Sequence, residues 1–145
     1  MSNSQKIYFF SQKPIRLANK GKIKRIISIL FLKEKKELVA LNCIFCSDTF
    51  LLKINQQFLN HNFFTDVITF NLSPNELKIE GEIYISIDRV KQNSIKLGVD
   101  RSEELLRVIL HGALHLCGYN DKNLSQIIKM RKRENELLRL YNRFP

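Results

Sequence analysis

The chain has 145 residues and a net charge of +10, with 44% hydrophobic and 26% charged residues, a balance that fits one globular domain over residues 1–145 and excludes a disordered chain. No apolar run is long enough to span a bilayer, and Met1 to Ile7 lacks the apolar core of a secretory leader, so a cytoplasmic protein with no membrane partner is expected. The basic excess lies in the flanks, with ten Lys/Arg against one acid over residues 1–36 and seven against three over 120–145, which suits a polyanion such as RNA and equally suits a solvated surface.

Ile7 to Phe10 reads as a short first strand. Ile23, Ile26, Ile27, Leu30 and Phe31 recur at helical spacing, which predicts an amphipathic helix over about 20–35. Leu38 to Phe45 is nearly all apolar and suits an inner strand. In the apolar run Val39 to Cys46, Cys43 and Cys46 stand three apart and would point to opposite faces of a strand. With an odd total of three cysteines, core packing is favoured over redox or metal chemistry.

Leu51, Leu52, Asn55, Phe58 and Leu59 predict a second helix from Asp48 to about Asn60. The β-branched run Val67 to Leu72 and the alternating run Gly81 to Ile87 predict two antiparallel neighbours around the turn at Ser73-Pro74-Asn75. A helix over about 88–97 stops at Gly98, and Asp100 with Glu103 reads as a capping box for the next one. That next helix is apolar on most sides, with His111 and His115 sharing a narrow polar stripe with Glu104, so it is expected to be central and buried. A last helix over about 123–141 is expected to bury Leu124, Ile127, Leu137 and Leu138 and to expose Lys129, Arg131, Lys132 and Arg133. The order β-α-β-α-β-β-α-α-α predicts an α+β domain, a mixed sheet of about four strands packed with helices.

The chemistry concentrates in His111-Gly112-Ala113-Leu114-His115-Leu116-Cys117-Gly118-Tyr119-Asn120-Asp121. Histidines at i and i+4 lie on one helix face. Gly118 can end the helix in a left-handed turn, and Asp121 then arrives as a hard oxygen ligand. Two packed core histidines are the competing reading. Two of only three histidines falling in the pair, with a glycine and an acid behind them, weigh against it. Three protein ligands with an open fourth position describe a catalytic zinc site. The offsets match the extended pattern H-E-x-x-H-x-x-G-x-x-H, but Gly112 stands where the peptidase has its general base. Peptidase chemistry is therefore disfavoured. A metal that acidifies water and polarises an oxyanion, as phosphodiester hydrolysis needs, is left.

The same segment resembles the signature H-G-x-L-H-L-x-G-Y-D-H of the YbeY family of metal-dependent endoribonucleases. Ile54 to Phe70 is similar to that family's L-N-x-x-Y-R-x-x-D-x-P-T-D-V-L-S-F block, and Gly81-Glu82-Ile83-Tyr84-Ile85-Ser86 to its G-D-I-x-I-S strand. The resemblance implies a zinc-dependent, single-strand-specific endoribonuclease in rRNA processing, at the 3′ end of small-subunit rRNA and in ribosome biogenesis. Its partners would be rRNA and the small ribosomal subunit, with no DNA expected. It implies one Zn2+ per chain on His111, His115 and Asp121, which would also be the catalytic set. Nickel and manganese also suit these ligands.

Asp121 replaces the family's usual third histidine, and a carboxylate there makes bound water less acidic. Leu59 stands where the family has an arginine thought to act at its active site. His61, Thr65, Asp66 and Arg107 are candidate substrate-binding residues. For these the plain alternatives are a surface histidine, a loop cap and a salt-bridged arginine. A ribosome-associated RNA-binding factor with a structural metal is the alternative to the enzyme.

Overall fold

The computed structural model describes residues 6–145, so the expectation about a leader falls largely outside the described residues. In chain order the elements are β1 (Ile7–Ser11), α1 (Lys20–Lys33), β2 (Glu37–Cys46), α2 (Asp48–Leu59), β3 (Val67–Asn71), β4 (Lys78–Ser86), α3 (Ile87–Leu97), α4 (Arg101–Leu116) and α5 (Leu124–Asn142). This is the expected α+β order. The strands form one mixed sheet, β1-β2-β4-β3, with β1 and β4 parallel to β2 and β3 antiparallel to β4. The nearly all-apolar run is the inner strand β2, and the turn at Ser73-Pro74-Asn75 joins β3 to β4, as the sequence pattern requires.

Helix α4 is the centre of the molecule. Ten of its residues are buried, among them Leu105, Leu106, Val108, Ile109, Leu110 and Leu114. It lies close on β4 because each element offers the other a glycine. A Cβ on Gly112 would stand 2.7 Å from Ile83 Cγ2, and one on Gly81 would stand 2.8 Å from Leu116 Cδ1. Gly112, read from the sequence as a missing base, is therefore the point where the helix backbone touches the sheet.

Cys43 and Cys46 are both fully buried, in separate apolar clusters. Burial pushes both thiols up to about 12, which leaves them protonated packing groups.

Two expectations are corrected, for the cap of α4 and the buried face of α5. Asp100 is the N-cap of α4 but makes no side-chain cap bond. The end of the helix is exposed there, so water can satisfy its first amides. Helix α2 forms over Asp48–Leu59 as expected, with Leu51 and Asn55 buried and Phe58 and Leu59 exposed on its last turn. In α5 the buried line is Met130, Glu134 and Leu137, while Leu124 and Ile127 are exposed. The rotation of α5 is set by Glu134, whose carboxylate is bound by Arg107 and His111 of α4. An ionised group so deeply buried must face its partners, and it overrides the count of leucines and isoleucines.

Candidate metal centre and its groove

Helix α4 ends at Cys117, and Gly118 takes a φ of +103°, a backbone that a side chain resists. The chain turns back there, with Gly118 N–H donating to His115 O at 3.0 Å and Tyr119 N–H to Leu114 O at 3.1 Å. Further on, Tyr119 Oη donates to Glu34 Oε2 at 3.1 Å, and Gln126 Oε1 accepts from Lys122 N–H at 2.9 Å. The loop carrying Asp121 is thus tied on both sides of the carboxylate.

The three expected ligands meet. His111 Nε2 and His115 Nε2 lie 3.0 Å apart, and Asp121 Oδ2 is 3.3 Å from each. A tetrahedral zinc with bonds of roughly 2.0–2.1 Å has ligand–ligand edges of about 3.3 Å, close to this triangle. His115 Nδ1 is 2.9 Å from Tyr119 O, and a carbonyl only accepts, so that nitrogen carries the hydrogen. His111 Nδ1 is 2.6 Å from Glu134 Oε2 and donates to the carboxylate. In the neutral rings both Nε2 lone pairs then converge with a carboxylate oxygen. Three electron-rich atoms held this close call for a cation among them, so the residues fit a metal.

The charge distribution has the same sense. Burial draws the pKa of His111 down, but the hydrogen bond and charge of Glu134, with the charges of Asp121 and Asp66, outweigh it and raise the value. For Glu134, burial favours the protonated acid, yet bonds to His111 and Arg107 hold the carboxyl below its ordinary range. Arg107 lies one turn before His111, but it is bound by Glu104 and Glu134 and its side chain is only 14% exposed. The salt-bridged alternative describes its placement. Its guanidinium braces the carboxylate that holds His111, instead of projecting toward phosphate.

Beside His115 opens a groove of about 230 Å³ lined by Leu59, His61, Phe63, Thr65 and Thr69 among others. His61 and Thr65 therefore share a cavity wall with the candidate ligand His115. So does Leu59, which puts an apolar side chain at that position of the wall. Asp66 sits at the start of β3, where its Oδ2 accepts from Asn93 Nδ2 at 3.3 Å and its carbonyl accepts from Ser86 N–H at 2.9 Å.

Lys129, Arg131 and Lys132 are exposed as expected, while Arg133 is paired with Glu34 and Glu136. Sequence reasoning missed Glu134. Its signal was present as a carboxylate on the Met130–Leu137 face of a helix, a place that only a paired acid occupies. Among the described residues no helix is long and apolar enough to cross a membrane.

A family model described as endoribonuclease YbeY matches residues 7–142. The chain is 47% identical over 116 residues to the endoribonuclease YbeY of Flavobacterium psychrophilum, covering 80% of this chain and 82% of that one. It is 43% identical over 135 residues to that of Cytophaga hutchinsonii, covering 92% and 94%. The solution structure of a Thermotoga maritima protein is similar with a TM-score of 0.63 at 28% identity, over 91% of this chain and 88% of that one.

Proposed function

This chain belongs to the YbeY endoribonuclease family, and on that premise we propose that it cleaves single-stranded RNA using one zinc ion held by His111, His115 and Asp121. The observation that carries the reading is the convergence of two Nε2 atoms and Asp121 Oδ2 while both Nδ1 atoms are engaged elsewhere. When bound, zinc supplies a Lewis acid that polarises a phosphoryl oxygen and acidifies water. Glu134 and the Tyr119 carbonyl fix the tautomer and tilt of the two imidazoles, so that neither ring must reorganise during the reaction. Asp121 adds a negative charge that a third histidine would not bring. His61 and Thr65 line the approach to His115, and Asp66 adds negative charge near His111. Gly112, packed on Ile83, leaves no room for the glutamate base of a peptidase at that position.

Within this reading the substrate is rRNA, matured at the 3′ end of the small-subunit species in the cytoplasm. The basic residues of α1 and α5 suit its phosphate backbone. The direct test is cleavage of a single-stranded rRNA fragment carrying that 3′ end, by protein stripped with chelator and then resupplied with zinc. Cleavage should follow zinc content and disappear in His115→Ala, and casein should remain intact. Cutting that persists in His115→Ala, or in fully stripped protein, would overturn the enzymatic reading. Leu59 on the groove wall favours one second reading, an RNA-binding ribosome factor with a structural metal. It predicts zinc-loaded protein that binds the fragment and leaves it uncut.

A further inference from the structure

The groove beside His115 has a chemistry unlike that of the metal centre it adjoins. None of its lining residues is Asp, Glu, Lys or Arg. It offers no guanidinium or ammonium group to a phosphate and no carboxylate to a cation. Its walls are apolar or aromatic, with the hydroxyl-bearing side chains of Thr65 and Thr69 among them. A flat, uncharged ring with hydrogen-bonding edges suits such a surface, and a nucleobase has that shape and chemistry.

The aromatic wall is already arranged. His61 and Phe63 are stacked at a centroid distance of 5.1 Å and an interplanar angle of 21°. Phe63 is nevertheless 56% exposed. The loop that presents them is held from below by Asn55, a buried side chain whose Nδ2 donates to Phe63 O at 2.9 Å. The backbone is tied as well, with His61 N–H donating to Asn55 O at 3.1 Å, and Gln56 Nε2 donates to Asn62 Oδ1 at 2.5 Å. A buried asparagine spent on fixing an exposed aromatic loop keeps the platform ordered before any ligand arrives, which lowers the entropy lost on binding.

We propose that this groove is a nucleobase subsite, in which an unpaired base flanking the cleaved bond stacks on Phe63, backed by His61. The inference rests on the endoribonuclease reading and deepens it. Because His115 is part of the same wall, a base seated there leaves its own phosphate beside the metal ligands. A paired base has both faces covered by its neighbours and cannot enter. The groove therefore selects single strands by their exposed rings, and Leu59 contributes an apolar edge to it.

The test uses zinc-loaded protein and a single-stranded RNA in which 2-aminopurine, fluorescent and quenched by stacking, replaces one base at a time around the cleavage position. At one register wild-type protein should quench the probe, and Phe63→Ala should abolish the quenching. With unmodified RNA, Phe63→Ala should raise KM about tenfold, the loss expected of one base–aromatic stack, while kcat changes less than about threefold. Phe63→Tyr should restore binding, and Phe63→Leu, which keeps apolar surface without a π face, should not. An abasic nucleotide at that register should impair wild type as much as Phe63→Ala does, and combining the two should add little. Wild-type KM in Phe63→Ala, equal binding by Phe63→Leu, or independent losses from the two changes would overturn the subsite and leave the groove as a surface for a protein segment. If wild type quenches the probe but cuts nothing, the enzymatic reading fails, and the groove is a base-binding surface with no cleaved bond beside it.

Discussion

The two histidines are held by different regions of the molecule, and by different physics. His115 is fixed locally, by the carbonyl of Tyr119 four residues on, in a turn made possible by Gly118. His111 is fixed from a distance, by the buried carboxylate of Glu134 on α5, itself braced by Arg107 and through it by Glu104. The local anchor is a backbone group with little desolvation cost. The distant anchor is a buried ion network whose members are stable only together, because the desolvation cost of each charge is offset by the others. One side of the candidate metal centre is thus a property of eleven consecutive residues, and the other is a property of the folded core.

The largest way to break this contrast is Glu134→Ala, which leaves Arg107 Nη1 and the His111 hydrogen without their acceptor in the core while Glu104 keeps its own bonds to Arg107. It should lower unfolding free energy by about 3–5 kcal/mol, read by urea denaturation of the metal-free protein. Glu134→Gln keeps the shape and an oxygen acceptor while removing the charge. Its main effect should fall on the ion, with zinc affinity reduced roughly 10- to 100-fold in a competitive chelator titration. On the local side, Gly118→Ala meets no steric neighbour but must hold a φ of +103°. The expected cost is about 1–3 kcal/mol, accompanied by weaker zinc binding as the turn that delivers Asp121 relaxes. The smallest effect belongs to Tyr119→Phe, which removes the bond to Glu34 but leaves the Tyr119 carbonyl on His115. It should cost about 1 kcal/mol and leave zinc affinity nearly unchanged. A larger loss of zinc in Tyr119→Phe than in Glu134→Gln would reverse the assignment of the two anchors.

The same division explains what the sequence made legible. The histidine spacing, the glycine turn and the returning carboxylate are local features, and they come together as their offsets imply. Helix α1 buries all five residues of its predicted stripe, since a clean 3.6-residue period leaves one apolar face to bury. Glu134 was hidden because its partners lie 23 and 27 residues away, and a helix period built from apolar residues alone placed Leu137 correctly but put the exposed Leu124 and Ile127 in the core. Gly112 was read by what it lacks for chemistry. Its packing cause, Ile83 at 2.7 Å from an added Cβ, exists only once α4 lies on β4. Phe63 carried no periodic signal, because it sits in a loop whose shape depends on the buried amide of Asn55.

X-ray absorption at the zinc edge, on protein loaded with one equivalent of zinc, tests the metal assignment most directly. The geometry predicts two imidazole nitrogens and at least one oxygen at about 2.0–2.2 Å, with one imidazole lost in His115→Ala and the oxygen shell altered in Asp121→Ala. A sulfur shell, or a spectrum unchanged by either substitution, would place the ion elsewhere and contradict the site.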